Sequence, residues 1–195
     1  MLSYHQEKAL KKEQQILKGA LREFLQCGYK GTSMDRIAQT AGVSKQTVYS
    51  HFGDKESLFK ALVKQVACEK FQLVWAKPLK GKPEKVLREL ALRLLKEVNN
   101  PQHLSFMHLL MTESQNYPDL GKLFFANVAK PAILVLSNYL EKSEDLSFEN
   151  PEAIAHIFVN TLIHFVLSQE MFQGKEIMPM SEEVLIDNLI QLIVV

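Results

Sequence analysis

The sequence predicts an all-α fold of about nine helices, in which an N-terminal three-helix unit of the helix-turn-helix kind precedes a larger helical domain. Three observations carry this. Apolar residues recur at spacings of three and four along almost the whole chain, and no segment alternates with the period of a strand. Residues 31–55, GTSMDRIAQTAGVSKQTVYSHFGDK, hold two short cappable helices, a tight turn and the start of a third helix. Beyond them, Pro78, Pro83, Pro101, Pro118 and Pro151 divide the chain at helix-length intervals.

In the first helix Ile16, Ala20 and Phe24, with Leu17, Leu21 and Leu25, form two adjoining rows at four-residue spacing, and Gly28 closes it. Lys8, Lys11 and Lys12 stand near its N-terminus, where the helix dipole disfavours cations; an anionic partner or a solvated start would each account for them. The second helix is expected over 33–40. Thr32 is its cap and Asp35 reaches back, as in a capping box; Met34, Ile37, Ala38 and Ala41 form the apolar face, and Gly42 stops it in a left-handed conformation.

Ser44 caps the third helix, 45–51, which Phe52 and Gly53 end. Val48 and Phe52 face the core, whereas Lys45, Gln46, Thr47 and Tyr49 are polar and cluster at the N-terminal end. In a helix-turn-helix that end enters the major groove. Gln46 matches adenine, Thr47 a thymine methyl, Lys45 guanine or phosphate, and Tyr49 and His51 phosphate oxygens. Asp54 caps a long fourth helix that carries Leu58, Phe59, Leu62, Val63 and Val66 and runs to about 76, and Lys55 beside its opening N–H groups suits a phosphate.

The run 16–63 resembles the DNA-binding domain of the tetracycline-repressor (TetR) family of bacterial transcription regulators. The likeness rests on Phe24, Gly28 and Tyr29, Thr32-Ser33, Ile37-Ala38, Ala41-Gly42-Val43-Ser44, Val48-Tyr49, His51-Phe52, and Lys55-Glu56 with Leu58. It covers roughly the first third of the chain. The resemblance implies that Thr32 or Ser33, Lys45, Gln46, Thr47, Tyr49, His51 and Lys55 face DNA, that the protein dimerises through its last two long helices, and that a bound effector reorients the fourth helix and lowers operator affinity. Residues 111–125, MTESQNYPDLGKLFF, also resemble a pattern in the C-terminal domain of one TetR subfamily.

Charge agrees with this division. Up to Lys70 there are 12 Lys+Arg against 7 Asp+Glu, and beyond it 11 against 15, so a net charge of +1 conceals a basic head and an acidic body. The expected organisation is a helix-turn-helix domain over 1–53, a linking helix over about 54–76, and a helical ligand-binding and dimerisation domain over 77–195.

In the body, Val86, Leu87, Leu90, Leu94, Leu95 and Val98 mark an amphipathic helix after the lysine-rich linker 78–83. Pro131 should kink or break the helix that contains it. The stretches 151–173 and 182–195 are apolar on nearly all sides, so part of their surface should meet a second subunit. Trp75, Phe106, Met107, Leu110, Met111, Phe124 and Phe165 are the large apolar groups from which either a ligand cavity or a plain core is built; Asn160 and His164, four apart, share one helix face. A hydrophobic or aromatic effector with few charges fits that composition.

An enzyme is disfavoured. His103 and His108 are five apart and His156 and His164 eight apart, so neither pair has the i, i+4 spacing of a metal site. The sequence has no GxSxG, phosphate loop or paired-carboxylate motif, and implies no cofactor and no metal. Cys27 and Cys68 read as buried inert thiols, with a thiol sensor as the alternative. No signal peptide and no run of about twenty uninterrupted apolar residues is present, so a cytoplasmic location with no membrane partner is expected. The sequence therefore points to a homodimeric repressor of double-stranded DNA with an inverted-repeat operator. The alternative is a TetR-like helical adaptor or activator without a small-molecule effector, although Lys45, Gln46 and Tyr49 argue against an adaptor.

Overall fold

A computed structural model describes residues 4–194. Among them there is no strand, and ten α-helical segments follow in order: α1 (Tyr4–Gly31), α2 (Met34–Ala41), α3 (Lys45–Phe52), α4 (Lys55–Trp75), α5 (Pro83–Val98), α6 (Pro101–Ser114), α7 (Pro118–Phe124), α8 (Lys130–Glu141), α9 (Pro151–Val166) and α10 (Glu182–Ile193). A π-helical turn over Phe125–Ala129 joins α7 to α8 in one rod, Pro118–Glu141, so these segments make nine helical rods. That turn ends just before Pro131, which has no N–H for the helical ladder. The kink expected at this proline takes the form of a π turn.

The chain forms two compact units. One runs up to Val66 and takes in Ser105–Phe124; the other comprises Ala67–Leu104 and the chain from Phe125 onward. The division by contacts thus differs from the expected division by chain order: it falls inside α4 and inside α6.

In the first unit, Ile16, Ala20 and Phe24 of α1, Ile37, Ala38 and Ala41 of α2, Val48 of α3 and Leu58, Phe59, Leu62 and Val63 of α4 share one core with Phe106, Leu109, Leu110 and Leu120. The α1 helix breaks at Gly28, whose φ of 68° and ψ of 174° are open to glycine. Thr32 was expected to cap α2. Ser33 does so instead, accepting from the Arg36 N–H at 3.3 Å, while the buried Thr32 hydroxyl donates to the Gly28 carbonyl at 2.8 Å. The break at Gly28 turns Thr32 inward and leaves the next residue at the helix start. Asp35 does not reach back; it pairs with Lys45. At the other end Gly42 is left-handed, the Val43 N–H reaches the Ala38 carbonyl and the Gly42 N–H that of Gln39, which is a Schellman closure.

In the second unit the core draws on the end of α4, α5, α8, α9 and α10, with Leu87, Leu90, Leu136, Phe158, Leu162 and Ile186 fully buried. Asn150 caps α9 and Ser181 caps α10. Neither of these last helices is apolar all round: α9 buries Ala155, Phe158, Val159, Leu162 and Val166 but exposes His156, Ile157, Asn160 and His164. The rods Pro118–Glu141 and Pro151–Met171 reach mean hydropathies of 1.4 and 1.2 and are long enough to match a membrane span, although neither is an uninterrupted apolar run. The first packs Leu120 in the core of the first unit and Ala132, Ile133, Leu136 and Leu140 in this one, and the second buries Ala155, Phe158, Val159, Leu162 and Val166 here. Cys68, expected to be buried, is exposed, and Cys27 is half-buried.

Candidate nucleic-acid interface

The α3 helix shows a polar face because Val48 alone is fully buried along it. Its start is fixed twice by Ser44, whose hydroxyl oxygen accepts from the Thr47 N–H at 3.1 Å and pairs with the Thr47 hydroxyl at 2.8 Å. The Thr47 hydroxyl is thereby occupied, and its methyl group remains for an apolar contact. Gln46 is exposed, and its amide makes no hydrogen bond among the described residues. Tyr49 is 44% exposed, and the Lys45 ammonium lies 5.8 Å from its ring centre. His51 Nδ1 lies 2.8 Å from the Thr47 carbonyl, so a proton on Nδ1 leaves Nε2 as the second ring nitrogen. Lys45, Gln46, Tyr49 and His51 are each exposed on α3, with Lys45 and Tyr49 adjacent, and Ser33 is exposed at the start of α2.

Two expected DNA-facing residues are used inside the head. Thr32 is 2% exposed and hydrogen-bonded as described. Lys55 donates to the Tyr29 carbonyl at 2.8 Å and the Thr32 carbonyl at 2.9 Å, and its ammonium sits 4.4 Å from the Tyr29 ring centre. It thus closes the loop after the Gly28 break onto the start of α4. The Tyr29 ring also lies 4.7 Å from that of Tyr117, and burial and this neighbour push its phenol well above the usual range.

Four supports of this surface were missed in the sequence. The Gln15 amide donates to the Ala41 carbonyl at 2.5 Å, closing the C-terminus of α2. Glu23, 6% exposed, accepts from Thr40 at 2.6 Å and pairs with Arg36 at 3.0 Å, whose guanidinium also reaches Cys27 Sγ at 3.2 Å. A Cβ on Gly19 would stand 2.8 Å from that of Ala41, so α1 and α2 cross at touching backbones. Asp35 holds Lys45 at 2.7 Å, and its hydrogen bond raises the ammonium above the usual lysine range. The small residues Gly19 and Ala20 on one helix and Ala38 and Ala41 on the next were the available signal for a close crossing. The polar partners left none, since they pair across 9 to 26 positions of chain.

Residues 16–62 match the model of bacterial regulatory proteins of the tetR family, and residues 85–194 match that of the C-terminal domain of AefR-like transcriptional repressors. The chain belongs to the TetR family. As in that family of transcriptional regulators, a helix-turn-helix head precedes a helical body. The HTH-type transcriptional regulator RutR of Escherichia coli O157:H7 is 30% identical over 144 residues, which are 74% of this chain but only 60% of RutR. The HTH-type transcriptional repressor AcnR of Corynebacterium glutamicum is 38% identical over 68 residues, 35% of this chain and 36% of AcnR. Among solved structures, a TetR-family transcriptional regulator of Mesorhizobium loti superposes with a TM-score of 0.81 at 26% identity, covering 94% of this chain and 95% of that one. The flavonoid-responsive regulator FrrA superposes at 0.70 with 28% identity, covering 93% and 92%.

The effector-binding candidates fall in both units. Phe106 and Leu110 are buried in the core of the first unit, Met107 and Phe124 pack against it, and Met111 is 46% exposed. In the second unit Trp75 is buried and stacks near Phe71, and Phe165 is partly buried. Asn160 and His164 share a face of α9, as their spacing predicts, and that face is exposed.

Proposed function

We propose that this TetR-family protein is a cytoplasmic homodimeric repressor that binds an inverted-repeat operator and is released by a small hydrophobic or aromatic effector. The observation that carries the reading is the polar character of α3, a helix capped at both ends on which Lys45, Gln46, Tyr49 and His51 are all exposed. Its residue types suit phosphates and base edges: Gln46 for adenine, the Thr47 methyl for thymine, and Lys45, Tyr49, His51 and Ser33 for the strand backbone.

Ile157 on α9 and Val184 and Leu192 on α10, exposed to 54, 50 and 78%, support dimerisation through the last two helices. A twofold axis then sets two α3 helices on half-sites about one helical turn apart. Asn160 and His164 lie on the same side of α9 as Ile157, where they serve as polar groups for the partner or the effector. The name of FrrA supports an aromatic effector, for which Trp75, Phe106, Met107, Leu110, Met111, Phe124 and Phe165 supply the adaptable apolar groups. Because Ser105–Phe124 belongs to the same compact unit as the head, movement of this segment on effector binding reaches the head through Tyr117 and Tyr29.

The test is a gel shift with the promoter regions of the protein's own and neighbouring genes, repeated with a metabolite panel. Sequence-dependent retardation, abolished by one apolar compound, is expected. Retardation of every duplex alike would overturn operator recognition, and a complex indifferent to the whole panel would overturn the effector.

A further inference from the structure

Beyond residue 70 acidic residues outnumber basic ones by 15 to 11, yet Lys77, Lys80, Lys82 and Lys85 crowd into nine positions. The fold gathers three of them around a cavity of about 250 Å³ formed by the linker 77–81 and the first half of α5, together with Arg93 and a single carboxylate, Glu89. We propose that this cavity binds a small polyvalent oxyanion, a metabolite bearing phosphate or several carboxylates, through residues that belong neither to the DNA-facing set nor to the apolar effector set.

The charge balance inside the cavity is uneven. Glu89 is neutralised by Lys77, whose ammonium lies 2.5 Å from Oε2 and holds the carboxyl below the usual carboxylate range. Arg93 is anchored by bonds to the Val74 carbonyl at 2.8 Å and the Glu89 carbonyl at 3.3 Å, which orient its guanidinium without neutralising it. Lys80 and Lys85 have neither a hydrogen bond nor an ion pair among the described residues. Although Lys85 and Arg93 also attract Glu89, the lining carries four cations against one carboxylate, a surplus of three that matches an anion carrying two or three negative charges.

The loop that presents these lysines is held in place. Gly81 has a φ of 116°, which other residues rarely adopt, and the Tyr139 hydroxyl donates to its carbonyl at 2.9 Å. The cavity wall includes Lys85 and Val86 in the first turn of α5, a helix whose N-cap, Lys82, supplies no side-chain acceptor to the opening N–H groups. That end adds the positive pole of a sixteen-residue helix to the cations. The volume lies below the roughly 300 to 1,000 Å³ of cavities for drug-sized ligands, so it suits an ion of the size of pyrophosphate or citrate.

Isothermal titration of the full-length protein with inorganic pyrophosphate and, separately, citrate tests this and separates the phosphate source from the carboxylate one. One saturable site per chain is expected for at least one probe, weaker at high salt. The pair Lys80→Ala/Lys85→Ala should weaken it about tenfold or more. Lys80→Arg/Lys85→Arg should retain it, and Lys64→Ala/Lys96→Ala, which removes the same charge elsewhere, should leave it unchanged. Absence of saturable binding by either probe overturns the proposal. So does equal loss in both alanine pairs, or binding untouched by Lys80→Ala/Lys85→Ala.

Discussion

Lys45 Nζ lies 2.7 Å from Asp35 Oδ1 and 3.0 Å from Oδ2, so an exposed ion pair tethers the first turn of α3 to α2. The carboxylate and a DNA phosphate compete for the same ammonium, and the carboxylate itself repels the strand. Asp35→Asn should therefore raise affinity for duplex DNA about two- to tenfold at low salt, measured by fluorescence anisotropy. Unchanged affinity would mean that Lys45 does not reach the backbone.

Gln46 is the exposed amide on this face without an internal partner, so its donor and acceptor are available for a base edge. Replacing it with alanine should relax preference at one position per half-site, by about 1 to 3 kcal/mol of discrimination. A selection of bound sequences from a random pool measures this, and an unaltered profile would sink the base-reading role.

Lys55 behaves differently from Lys45 because its ammonium already serves two backbone carbonyls. Lys55→Ala leaves both acceptors under-satisfied and should cost the fold about 1 to 3 kcal/mol in urea unfolding. If instead stability holds while the salt dependence of DNA binding flattens, the residue is primarily a phosphate contact.

The Gly19 crossing allows an equally direct test. A methyl group there would press on the Cα and backbone nitrogen of Ala41 at 3.0 Å, so Gly19→Ala should destabilise the head by about 1 to 3 kcal/mol despite the better helix propensity of alanine. A gain in melting temperature would show that the two helices separate without cost.

Asp54 caps α4 through the Ser57 N–H at 2.7 Å, and this bond holds its carboxyl below the ordinary value of 3.8. A depressed folded value stabilises the protein above the unfolded value and is lost as pH falls through the folded one. Asp54→Ala should accordingly lower the melting temperature at pH 7, with the gap to the parent narrowing below about pH 4. Melts recorded across pH test it, and a gap that widens on acidification would contradict the cap.

The head was legible in the sequence because its signals are local. A cap, a left-handed glycine and a four-residue apolar spacing each act within one turn of chain, and Ser44, Gly42 and Asp54 behave as their positions imply. Even there the register slipped by one residue at Thr32, since whether a hydroxyl caps the next helix or turns back to Gly28 depends on a break in the preceding helix. The body was legible only as a set of helices. Apolar periodicity gives each helix a buried face without naming what covers it.

The sequence by itself determined the all-α class, the order of helices in the head and the polar face of α3, all consequences of backbone chemistry and side-chain spacing over a few residues. Tertiary structure alone decided that Lys55 points inward, that Asp35 holds Lys45, that Ser105–Phe124 joins the head's unit, and that Lys77, Lys80, Lys85 and Arg93 line one cavity. These depend on which distant residues packing brings within a few ångströms, and a side chain with several possible partners is committed only when the rest of the core has fixed the backbone around it.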